Sequence, residues 1–173
     1  RHNNLLHYLV DLIHEGIKHS GAHIYADLNN TPFEKKGTST ISYECTPTNM
    51  CPDICVLWKS MKKIMLFELS VSFEFNIEKM HDYKTKKYTP LQVDLEQNGF
   101  DVTFICLEIG SRGFVSHGNE ARLKSLLSVI ERPVTFKQVR QNLSKLATIS
   151  SFVIYSAKNE PSWDAKTPLR ISQ

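Results

Sequence analysis

Two apolar runs decide how this chain folds: Cys51-Pro52-Asp53-Ile54-Cys55-Val56-Leu57-Trp58 and, beyond the basic turn Lys59 to Lys63, Ile64-Met65-Leu66-Phe67-Glu68-Leu69-Ser70-Val71. Short apolar runs joined by a turn read as adjacent antiparallel strands, here the centre of a sheet. Asp53 then stands at the mouth of the first strand, a place that turn chemistry alone also explains. Glu68 lies inside the second, where an unpaired carboxylate carries a desolvation penalty. Because strand side chains alternate, Glu68 shares a face with Ser70 and Ser72, while Met65, Phe67, Leu69 and Val71 take the other. A hairpin brings Asp53 and Glu68 together, and neighbouring carboxylates repel unless a cation lies between them. Mg²⁺ or Mn²⁺ suits such oxygen ligands. For Glu68 alone, the plainer reading is a sheet-edge glutamate that reaches solvent.

Upstream, Asn3 to Ser20 carries Leu5, Leu6, Leu9, Leu12, Ile13 and Ile17 at helical spacing, with Gly21 as a stop. His23 to Ala26 and Ser39 to Tyr43 are short β-prone pieces around the loop Asn29 to Gly37. Downstream, a helix is predicted from an Asn76 cap through Tyr88, with a bend or restart at Thr89-Pro90 and a stop at Gly99. Phe100 to Ile109 is the next strand, and Asn119 to Ile130 and Thr135 to about Ser150 are two more helices. The order predicts an α/β fold: a small mixed sheet flanked by helices, with extra C-terminal helices. One domain is expected over 1–173, with a core at about 3–115, a helical extension at about 116–158 and a loose tail at 159–173.

Composition sets the outer limits. With 173 residues, 41% of them hydrophobic and 23% charged, the chain reads as an ordinary soluble globular domain. No run approaches a membrane span. The opening Arg1, with no leader and no initiator Met, reads as an excised segment, so localisation is inferred from function. Cys45, Cys51, Cys55 and Cys106 lack paired Cys-x2-Cys spacing and read as free, buried or half-buried thiols. Residues 1–111 hold 11 Lys/Arg against 14 Asp/Glu, and residues 112–173 hold 10 against 4. The acidic part suits cations and the basic part suits phosphates.

The helix after Glu68 has an inward stripe of Ile77, Met80, Lys84, then Lys87 or Tyr88, then Leu91 and Leu95. A lysine in that stripe points at the carboxylates, where it orients an attacking water or stabilises a pentavalent phosphate. The bland alternative is a snorkelling lysine at the helix rim. Glu15 is a further candidate ligand from the first helix, beside the reading of an ordinary solvated glutamate. Glu74 reads either as a ligand or as a helix N-terminal charge. The histidines crowded at the start, His2, His7, His14, His19 and His23, do not share chelating spacing and read as surface residues. Arg112, in the turn Gly110-Ser111-Arg112-Gly113, is a candidate phosphate contact or a turn stabiliser.

Pro52-Asp53-Ile54, Phe67-Glu68-Leu69-Ser70-Val71-Ser72-Phe73-Glu74, Lys84 with Lys87-Tyr88, and Leu107-Glu108-Ile109-Gly110-Ser111-Arg112-Gly113-Phe114 together resemble the restriction-endonuclease-like, PD-(D/E)xK, region of non-LTR retrotransposon polyproteins. Arg1-His2-Asn3 and Tyr25-Ala26-Asp27-Leu28 look like the segment that joins it to the reverse transcriptase, so the resemblance covers roughly 1–115. It implies a Mg²⁺- or Mn²⁺-dependent endonuclease that nicks target DNA, with Asp53 and Glu68 as metal ligands. It departs from the pattern at Cys51, where Arg or Lys is usual, and at Ser70, where the lysine of Glu-x-Lys is usual. Families of this fold move that lysine to the next helix, which makes Lys84 the first candidate and Lys87 the second. Arg112, Lys86, Lys137 and Arg140 are the expected contacts to the DNA backbone. The same resemblance implies a nuclear location, the remaining parts of such a polyprotein as partners, and a homodimer as one way to cut both strands. The competing readings are a catalytically inactive nuclease-like fold that binds DNA or protein, which Ser70 permits, and an unrelated small α/β domain.

Overall fold

The computed structural model describes residues 1–29, 31–35, 37–130 and 134–158, so the expected tail, 159–173, lies outside the described residues. The elements run α1 (His2–Ile17), β1 (His23–Ala26), β2 (Ile54–Trp58), β3 (Lys63–Ser72), α2 (Ile77–Gln97), β4 (Asp101–Gly110), α3 (His117–Ser128) and α4 (Phe136–Ala157). The sheet order is β1-β2-β3-β4. The β1/β2 and β2/β3 pairs are antiparallel, and β3/β4 is parallel. The β2/β3 turn closes through Lys62 in the left-handed region, at φ 48°. A parallel pair needs a long crossover, and the 21-residue α2 supplies it. This is the mixed α/β sheet with flanking and additional C-terminal helices that the sequence predicts.

Each strand divides two cores. Met65, Phe67 and Leu69 of β3 face α1, α3 and α4, where Leu5, Leu9, Leu123, Val139 and Leu143 are buried. Ile64 and Leu66 face α2, against Tyr88, Leu91 and Leu95. The second core is smaller because its face turns polar midway: after Leu66 come Glu68 and Ser70, both buried. Helices α3 and α4 share the first core with α1, so the basic extension packs on the sheet's far side from α2. None of the described helices is long and apolar enough to cross a membrane.

Two expectations are corrected. Ser39 to Tyr43 is not a strand. Its hydroxyls instead bond the chain that leads into β2, Ser39 Oγ donating to the Met50 carbonyl at 2.5 Å and Thr40 Oγ1 to the Pro52 carbonyl at 2.8 Å. Such side-chain bonds hold irregular backbone in place of a ladder, and here they brace the segment carrying Asp53. Helix α2 does not break at Thr89-Pro90 but runs through it. Pro90 is exposed, so the backbone bond it removes lies on the solvent side, where water replaces it.

Candidate active site

Strand β2 begins where β3 is only half used. Its first rung pairs Ile54 with Phe67, which leaves β3 from Glu68 onward without a β2 partner. Asp53 fills the gap by accepting a hydrogen bond from the Leu69 N–H on Oδ2 at 2.7 Å. Glu68 Oε2 accepts from the Asp53 N–H at 3.2 Å. The Asp53 carboxylate therefore holds the β3 backbone at Leu69 and the Glu68 carboxylate holds the backbone of Asp53, and both residues are nearly closed off, at 8% and 2% exposure.

Lys84, two turns into α2, reaches across and pairs with Glu68 Oε1. One lysine does not settle two carboxylates. Burial and the neighbouring Asp53 charge raise the pKa of Glu68 above its ordinary value despite the Lys84 contact. Asp53 Oδ1 receives no hydrogen bond from the described residues. The site thus has an open acceptor on Asp53.

His2 contributes from the first turn of α1. Its Nε2 lies 3.1 Å from Asp53 Oδ2 and 3.2 Å from the Leu69 carbonyl. Both partners are acceptors, so Nε2 carries a proton. Burial lowers the pKa of His2, but the hydrogen bond and charge of Asp53 outweigh it and leave the value raised. The expectation of surface histidines is corrected here. His2 precedes Leu5, Leu6 and Leu9 on the same helical stripe, and that register was the signal for an inward position.

Glu15 is also corrected. It is exposed and lies beside Lys18 and His14. At 1.5 Å per residue it stands about 20 Å along the helix from His2, far from Asp53. Lys87 does not touch the carboxylates: its Nζ lies 3.0 Å from the Tyr88 hydroxyl. It lines a cleft of about 970 Å³ with Asp27, Tyr43, Met50 and Cys51. Tyr88 joins this cleft to the site, because its hydroxyl donates to the Cys51 carbonyl at 2.9 Å.

The expected phosphate contacts are dispersed. Lys86 is exposed on α2. Arg112 is held by Glu74, through its backbone N–H at 2.9 Å and its Nε at 3.1 Å, and Glu74 also opens the 3-10 turn Glu74–Asn76 ahead of α2, the helix N-terminal charge rather than the ligand. Lys137 and Arg140 line a second groove, of about 560 Å³, with Phe114 and Phe136. Arg140 is paired with Glu120 at 3.1 Å.

A second polar cluster lies one strand over, and the sequence reading missed it. Cys106 stands opposite Glu68 in the β3/β4 register, and Glu108 opposite Ser70. Glu108 is fully buried. Its Oε1 meets His81 Nδ1 at 3.0 Å and the Cys106 thiol at 2.8 Å, and its Oε2 meets Arg122 at 3.0 Å. Arg122 also lies 2.9 Å from His81 Nε2 and donates to the Asn119 side-chain oxygen Oδ1 at 2.9 Å. The potential ligand atoms of His81, Cys106 and Glu108 all fall within 4.8 Å of one another. The available signal was Glu108 itself, a second carboxylate inside an apolar strand.

No protein-family model matches the chain, and no curated protein is similar to it. Among solved structures it is similar to an N-terminal domain of a reptarenavirus L protein, at 16% identity and a TM-score of 0.33. The match covers 64% of this chain and 58% of that one, so the chain spans less than two-thirds of that domain's length.

Proposed function

We propose that the chain is a divalent-metal-dependent nuclease whose site is built from His2, Asp53, Glu68 and Lys84. The observation that supports it most is that three separate segments, the lead-in to β2, β3 and α2, deliver two mutually repelling buried carboxylates and one lysine to one point. Lys84 pairs with Glu68 and His2 with Asp53, and Asp53 still keeps one oxygen without a hydrogen bond from the described residues, which is what an ion completes.

The donor set fits Mg²⁺ or Mn²⁺. Asp53 Oδ1, Glu68 Oε1, the Leu69 carbonyl and His2 Nε2, once its proton leaves to solvent, are the groups that would hold the ion. When bound, such an ion supplies Lewis-acid charge at a phosphate and lowers the pKa of a coordinated water. Lys84 is the only cation seated on these carboxylates among the described residues besides His2. Shifted from Glu68 toward an incoming phosphate, its ammonium orients the attacking water and balances the charge that develops on the phosphorane. The cleft beside Cys51 and Lys87 is tied to this site through Tyr88, whose hydroxyl bonds the Cys51 carbonyl.

The retroelement resemblance makes DNA the expected substrate and target-site nicking the expected event. Purified protein is to be incubated with plasmid, single-stranded DNA and single-stranded RNA in Mg²⁺ or Mn²⁺. Cleavage is expected, with Asp53→Asn, Glu68→Gln and Lys84→Ala each slower by about 10²- to 10³-fold, the usual cost of one electrostatic stabiliser. Cleavage of RNA alone keeps the chemistry and removes the retroelement assignment. Intact substrates in every arm, with nucleic acid still bound, leave the inactive binding module as the surviving reading.

A further inference from the structure

We infer that His81, Cys106 and Glu108 form a second, separate metal site, suited to a borderline ion such as Zn²⁺ or Co²⁺ and closed at rest by Arg122. The inference does not depend on nuclease activity and uses none of the residues of the first site.

The donors set the ion class. One imidazole nitrogen, one thiol and one carboxylate favour a borderline ion over Mg²⁺, whereas the first site is mostly oxygen. Their present spacings, 3.0 Å from Nδ1 to Oε1 and 2.8 Å from Sγ to Oε1, reflect hydrogen bonds. Around a tetrahedral ion with bonds of 2.0–2.3 Å the donors stand roughly 3.4 Å apart, so these two spacings widen by about half an ångström on binding. His81 and Arg122 have side-chain exposures of 27% and 30%, which leaves a way in past α2 and α3.

Arg122 explains why the cluster is closed. A guanidinium only donates. The contact between Arg122 and His81 Nε2 therefore fixes that nitrogen as the acceptor, and the ring proton sits on Nδ1, donated to Glu108. An ion at Nδ1 needs that lone pair, so the ring proton must move to Nε2, where it faces the Arg122 N–H. Two donors cannot share that contact, and Arg122 must release His81 when the ion enters. The thiol proton of Cys106 leaves to solvent and the thiolate completes the donor set. Arg122 can keep Glu108 Oε2, and a ligating carboxylate held in this way is the usual supporting arrangement. Burial raises the pKa of the Cys106 thiol, so without an ion it remains a thiol.

The test is a Co²⁺ titration of the intact protein, read by thiolate-to-cobalt charge-transfer absorption. The band is expected in the wild type, absent in Cys106→Ser and in His81→Asn, and retained in Asp53→Asn. Arg122→Lys keeps a positive charge near Glu108 but cannot also span to His81. Its half-saturation is expected at about tenfold lower Co²⁺, equivalent to ~1.4 kcal/mol. A band that survives Cys106→Ser comes from another thiol and overturns the site, as does a band lost in Asp53→Asn. No band in either the wild type or Arg122→Lys also overturns it, and equal affinity in those two proteins removes the Arg122 closure.

Discussion

Glu68 and Glu108 stand on neighbouring strands of one sheet face, both buried, and they differ in how their charge is met. Glu108 faces an arginine that neutralises it and an imidazole and a thiol that both donate to it, with Asn119 tying the strand to α3. Glu68 has one lysine, shared with the repulsion of Asp53. The first arrangement is complete in the protein alone. The second keeps an open carboxylate oxygen on Asp53, and this difference separates a carboxylate closed at rest by its own neighbours from a pair left open to an ion.

Stability separates the two most widely. Arg122→Ala leaves Glu108 buried without its counter-ion, and removing one partner of a buried pair costs about 3–5 kcal/mol. Glu68→Gln removes a charge that already repels Asp53 and keeps an amide oxygen to accept from the Asp53 N–H, so its stability is expected within about 1 kcal/mol of wild type. Urea denaturation of metal-free protein measures both. If the two substitutions cost the same, Glu68 is an ordinary structural ion pair and the comparison fails.

Mn²⁺ is expected to act on the Glu68 side of the comparison only. An ion that binds only the folded state stabilises it by about 2.7 kcal/mol at a hundredfold excess over its Kd. A thermal melt with Mn²⁺ is expected to rise in the wild type and in Cys106→Ser, and to stay flat in Asp53→Asn and Glu68→Gln. A rise that persists in Asp53→Asn puts the hard ion elsewhere.

Much of this was legible in the sequence, for physical reasons that can be named. The apolar runs on either side of Lys59 to Lys63 specify the hairpin, and period-two alternation places Glu68 away from Phe67 and Leu69. Helical period places Lys84 in line with Ile77, Tyr88 and Leu91, all buried on α2. The register of His2 with Leu5, Leu6 and Leu9 marked an inward position, but nothing local named its partner, because Asp53 is 51 residues away. Glu15 stood as a candidate ligand from the first helix, but one end of α1 reaches the carboxylates and the other does not. The cluster at Glu108 needs the parallel β3/β4 register and two helices to assemble, and none of these leaves a short-range pattern.

The smallest expected effect concerns His2, and its sign follows from its raised pKa. A group whose folded value lies above its unfolded value stabilises the fold most at low pH. For His2 that contribution is whole below about pH 6.5 and fades as pH climbs through the raised folded value. The ring is partly exposed, so solvent screens the pair and the change in stability is small. Proton NMR of metal-free protein is the sharper measurement. The His2 ring is expected to titrate with a midpoint above 6.5, and Asp53→Asn is expected to lower that midpoint by removing the charge that holds the proton. Saturating Mg²⁺ is expected to suppress the titration, because a ligating imidazole must give up the proton at Nε2. If Mg²⁺ leaves the midpoint unchanged, His2 is only a hydrogen-bond partner of Asp53, and any ion is held by Asp53, Glu68 and the Leu69 carbonyl without it.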